Sequence, residues 1–134
     1  MINYDLEKIR QDSYHHAENS IITLGQGAIK SAVLINGGAA VAMLAFIGNV
    51  WGKEGLTHDV VILLANSVIH YAYGVLFAAG AAGTTYVTLQ VQLFGYEKWG
   101  WFMQFITIVL VGASYYYFYL ATNQAYNAFI QNVN

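Results

Sequence analysis

Residues 60–120 read VVILLANSVIHYAYGVLFAAGAAGTTYVTLQVQLFGYEKWGWFMQFITIVLVGASYYYFYL, and only two neighbours in that stretch, Glu97 and Lys98, carry formal charge. They sit in Gly95–Trp101 (GYEKWGW), a polar turn studded with aromatic rings. The apolar run on each side is longer than the roughly 20 residues a helix needs to cross a hydrocarbon core of about 30 Å. A soluble domain has no reason to leave two such runs nearly free of charge. The stretch therefore predicts a transmembrane helical hairpin with the turn at its tip.

Composition extends this reading to the whole chain. Of 134 residues, 57% are apolar and 9% are charged, against about 25% charged in an ordinary soluble domain. The net charge of −2 argues against nucleic acid as a partner, because affinity for phosphate comes largely from Lys and Arg. Cysteine is absent, which removes disulfides and thiolate chemistry. Proline is absent too, which favours unbroken helices. The expected fold is all-α: an integral membrane helical bundle of three transmembrane helices, with a long amphipathic N-terminal helix. The polar start of the chain lacks the basic tip and apolar core of a cleavable signal.

Upstream of the hairpin, Ser31–Trp51 is free of charge and long enough for one crossing. Lys30 can snorkel to the headgroups and Trp51 suits the interface. Gly27, Ser31, Gly38 and Ala42 form a small-residue stripe on this helix, and Gly74, Ala78 and Ala82 form a ridge on the next. In lipid such stripes let neighbouring backbones approach closely. Residues 1–28 are expected to be an amphipathic juxtamembrane helix capped by Asn3, lying on the surface or forming the outer end of a long first helix. Residues 29–134 then form the three-span domain, with spans near 31–51, 60–92 and 99–122. Thr57 and Asp59 supply a cap and first turn for the second helix. The third crossing should end near 122, where Asn123, Gln124 and Asn127 bring polarity, after the tyrosine cluster at 115–119 has formed an aromatic belt.

Lys8, Arg10, Lys30 and Lys98 fall on one side of this topology and Lys53 on the other. Positive-inside counting puts the N-terminus in the cytoplasm.

Uncharged polar groups recur within the spans, and lipid cannot satisfy them. Asn36, Asn66, Thr84, Thr88 and Gln104, with His70, either line a water-filled path in an oligomer or tie helix to helix. His70 lies near mid-membrane, where an ionisable group is a functional candidate by default. It is a haem ligand, a quinone contact or a proton relay in the sharper reading, and a neutral histidine bonded to Asn66 or a tyrosine in the plainer one. Asp12, His15, His16 and Glu18 stand three or four residues apart, close enough for metal ligation. A single His-x-x-Glu lacks the second set of ligands a di-metal centre takes. A solvated face is the plainer reading, and no metal is expected. No nucleotide-binding or hydrolase motif is present, so an enzyme is not expected.

Two resemblances bear on these residues. His70–Gly74, H-x-x-x-G, resembles the haem-binding helix of the three-span anchor subunits of succinate dehydrogenase, and this would imply haem at His70. The Ser-Pro-His and Arg-rich N-terminal features of that family are absent. Lys30–Ala40 (KSAVLINGGAA) with Ala45–Gly48 (AFIG) resembles a segment of small uncharacterised bacterial inner-membrane proteins, which implies origin and topology but no activity. The function expected is a homo-oligomer forming an ion-conducting or permeabilising assembly without a cofactor. The alternatives are an anchor or accessory subunit of a larger complex, linked to haem or quinone through His70, and a scaffold that binds a cytoplasmic partner through its N-terminal helix.

Overall fold

The structure, a computed structural model, describes residues 2–51, 57–93 and 97–131. Three helices form it: α1 (Ile2–Val50), α2 (His58–Leu93) and α3 (Glu97–Gln131). Each contains a segment long and apolar enough to cross a membrane: Ile22–Val50, His58–Val91 and Lys98–Ile130. The chain is thus the all-α, three-span membrane bundle that its composition predicts. Its outer surface agrees, since Leu34 is 73% exposed, Leu76 65% and Phe105 64%. Contiguous apolar exposure of this kind drives association in water and suits lipid.

With no proline to interrupt it, α1 runs 49 residues, about 74 Å at 1.5 Å per residue. The helix passes without a break through residues 28 and 29, where the charged segment gives way to the apolar one. Ile2 is already helical, so Asn3 lies inside the first turn instead of capping it. Every side chain from Leu6 to Ser13 is exposed. At the start of α2, Thr57 stands in the N-cap place: its carbonyl accepts from the Val61 amide at 3.2 Å, and Asp59 follows in the first turn. The tip of the α2–α3 hairpin, residues 94–96, lies outside the described residues, but α3 includes Glu97–Trp101, part of the expected turn.

The most extensive contact is α2 against α3, with α1 laid mainly on α2. Buried positions on α2 are Val60, Leu64, Ser67, Tyr71, Gly74, Ala78, Ala81 and Thr88. They alternate steps of three and four, apart from the half-buried Thr84 and Thr85 near the end. This is the seam of a left-handed helix pair. On α3 the same alternation carries Ser114, Ala121, Ala125 and Ala128. The ridge expected at Gly74, Ala78 and Ala82 therefore needs one correction. A seam that repeats every 3.5 residues turns Ala81 inward and leaves Ala82 exposed.

On α1 the small-residue stripe and the packed face are different. Its packed face carries Ile29, Ala32 and Asn36, then Met43, Phe46 and Ile47 against Val60, Leu64 and Ala128. Gly27, Ser31, Gly38 and Ala42 all face outward, and a Cβ on Gly27 or Gly38 would meet nothing within 4 Å. Inside the chain this stripe does not pack the helices. Larger side chains on the opposite face do.

α3 continues past residue 122 to Gln131, with alanine at each buried position there while Asn123 and Asn127 turn outward. The tyrosine cluster lies just past the middle of the candidate span Lys98–Ile130.

Candidate functional site

Asn36 is fully buried where all three helices meet. Its Nδ2 donates to the carbonyl of Ala32 at 3.0 Å and to Ser114 Oγ at 3.1 Å, with a longer reach of 3.4 Å to the Ser114 carbonyl. Ser114 Oγ in turn donates to the Gly74 carbonyl at 2.7 Å. One amide and one hydroxyl thus tie α1 to α3 and α3 to α2. Gly74 makes the junction possible. A Cβ there would run into the Asn36 amide, with Nδ2 2.8 Å away and Oδ1 and Cγ closer still. Asn36 Oδ1 is buried without a hydrogen-bond partner among the described residues, and it occupies the place a Gly74 Cβ would take.

Two further polar links join α2 to α3. Thr84 and Thr107 share a hydrogen bond between hydroxyls at 2.8 Å, and Tyr71 and Thr122 share one at 3.1 Å. Thr88 donates to the Thr84 carbonyl within its own helix. Of the polar candidates, Asn36, Thr84 and Thr88 therefore spend their hydrogen bonds inside the protomer. Asn66 and Gln104 do the opposite and stand exposed on the outer surface.

His70 is half-buried beside α3. Its Nδ1 lies 2.8 Å from the Asn66 carbonyl oxygen. A carbonyl only accepts, so Nδ1 carries a proton, and in the tautomer with that single ring proton the lone pair is on Nε2. The ring faces Tyr117 with centroids 5.9 Å apart, and Tyr117 also packs on Tyr73 at 5.6 Å and on Phe77 at 5.2 Å. The plainer reading anticipated a bond to Asn66; its acceptor proves to be the main chain. The H-x-x-x-G resemblance would leave Gly74 open to a flat macrocycle, but that face of Gly74 is occupied by the Asn36 amide. The partnership of Gly74 with Asn36 and the central place of Tyr117 were not legible in the sequence. A glycine announces only that something comes close, and four tyrosines within five residues look alike.

At the other end of α1, Asp12, His15 and His16 are exposed, and the Glu18 side chain lies outside the described residues. Among the described residues no three His, Cys, Asp or Glu side chains come together to hold a metal ion. Comparison of the chain with protein-family models, with curated proteins and with solved structures finds no match in any of the three.

Proposed function

We propose that this chain works as a homo-oligomeric membrane assembly that passes ions along the boundaries between its protomers. The observation that carries the reading is the outward placement of Asn66 and Gln104 at membrane depth. Hydrocarbon offers these amides no partner, whereas another protomer does. Asn36, Ser114, Thr84 and Thr107 spend hydrogen bonds inside the protomer, and a bundle of three helices is too thin to enclose a path, so a path requires several copies. The exposed small-residue face of α1 supports close approach of a neighbour. The four-to-one excess of cations supports a cytoplasmic N-terminus, and the likeness of Lys30–Ala40 to small bacterial inner-membrane proteins supports that membrane as its place.

The test is paired. The mass of purified protein in lipid nanodiscs should exceed that of one chain, and liposomes containing it should release a trapped ion. A monomer, or an oligomer that leaks nothing across pH and salt, overturns the reading. A second reading rests on a different observation, the bare N-terminal arm of α1 with Leu6 60% and Ile9 62% exposed. Under it the protein is a scaffold, and a chain lacking residues 1–20 would lose a cytoplasmic partner that the full chain retains in a pull-down.

A further inference from the structure

The unused nitrogen of His70 is the feature of the outer surface that calls for a partner. Nδ1 is committed to the Asn66 carbonyl, and Nε2 has no hydrogen bond to any of the described residues. The residue lies 12 positions into the second candidate span, about 18 Å along the helix, whereas a hydrocarbon core of about 30 Å centred on that span begins about 10 Å along it. An acceptor left bare at that depth is unfavourable.

A donor of matching depth exists on the chain itself. Tyr71 bonds Thr122 and packs against Phe118, which sets His70 level with residues 118–122 of α3. Tyr119 falls in that interval, is 64% exposed, and its hydroxyl has no partner among the described residues. Rotation about an axis along the membrane normal preserves depth, so only groups at one level can meet between copies. Tyr117 faces His70, and Tyr119, two residues further, projects about 200° around the helix from it. The two groups of one protomer therefore belong to different faces. Contacts between different faces are heterologous and propagate into rings.

We infer that Tyr119 of one copy donates its hydroxyl proton to His70 Nε2 of the next, head to tail, as the recurring contact of the assembly. This deepens the homo-oligomer reading and rests on it. The partner is a second copy of this chain, met on the outer lip of the α2–α3 groove beside Tyr73.

The chain contains no cysteine, so crosslinking needs no background removal. Chains carrying His70→Cys are mixed with chains carrying Tyr119→Cys in the same liposomes and exposed to a short thiol crosslinker. A mixed dimer that neither variant forms alone is the expected result. Crosslinking of Tyr119→Cys chains to one another would mean a two-fold contact and overturns the inference. Tyr119→Phe removes one oxygen and leaves the fold intact; it should weaken association about threefold per contact, while Tyr116→Phe, an exposed phenol one turn away, should not. His70→Ala should add nothing to Tyr119→Phe. If wild type is oligomeric but neither crosslink nor weakening appears, this contact is wrong while the assembly stands. If wild type is monomeric, the assembly itself fails.

Discussion

At the scale of single residues, the bundle turns on a pairing between an amide and a missing side chain. Asn36 on α1 fills the space that any Cβ on Gly74 would need. Asn36→Ala removes the bonds from α1 to Ser114 and should cost about 1–2 kcal/mol, since interhelical bonds in membranes run from about 0.6 to 1.7 kcal/mol each. Gly74→Ala forces the amide aside, and overpacking of this sort costs about 1–3 kcal/mol. The two are in contact, so their effects are not additive. Asn36→Ala vacates the volume that the new methyl requires, and the double variant should be less destabilised than the sum of the singles. Thermal unfolding of the four proteins in one detergent measures this. Strict additivity would mean the amide does not sit on Gly74.

Between elements, the spacing that assigns faces is three-and-four, and it is carried by small residues. Ala81 is fully buried against α3, while Ala82, its neighbour, faces outward. Ala81→Leu should therefore destabilise the hairpin by about 1–3 kcal/mol, and Ala82→Leu should stay within about 0.5 kcal/mol of wild type. Equal losses in a thermal shift would contradict the seam. The same comparison explains what the sequence made legible. Helices, spans and the Thr57 cap follow from the distribution of charge, proline and threonine. Which side of each helix faces its neighbour does not, because both sides are apolar. In water the packed face of α2 would differ from the outer one in polarity; here both faces mix sizes, with Leu64, Tyr71, Gly74 and Ala78 inside and Ile62, Leu76, Ala79 and Gly80 outside. On α1 size sorts the faces no better, with Gly27, Gly38, Leu34 and Val41 outside and Ile29, Ala32 and Met43 on the packed side. Small residues alone cannot say whether they serve the protomer or its neighbour.

The whole molecule is an antiparallel hairpin, α2 and α3, with a longer helix leaning on it. Three spans put the two connections on opposite sides of the membrane. The Lys53 connection then shares a side with the C-terminal end of α3, and Lys98 shares a side with the arm of α1. Because the chain lacks cysteine, single substitutions report this directly. With the N-terminus inside, Lys53→Cys in intact cells should react with a membrane-impermeant maleimide, whereas Lys8→Cys and Lys98→Cys should react only after the membrane is opened. Reaction of Lys8 and Lys98 variants from outside, with Lys53 protected, would keep the three-span fold and invert its orientation. Reaction of Lys8 and Lys98 variants from different sides would remove one of the spans. The arm adds a constraint of its own. Residues 2–21 of α1 precede its candidate span and extend about 30 Å as continuous helix, so a protomer ring would carry a crown of helices on the side that Lys98 marks. Deleting residues 2–20 removes that crown while leaving the Asn36 junction and the α2–α3 seam untouched. Nanodisc mass separates the two possible roles of the arm: an unchanged oligomer assigns assembly to the spans alone, and a monomer assigns it to the arm.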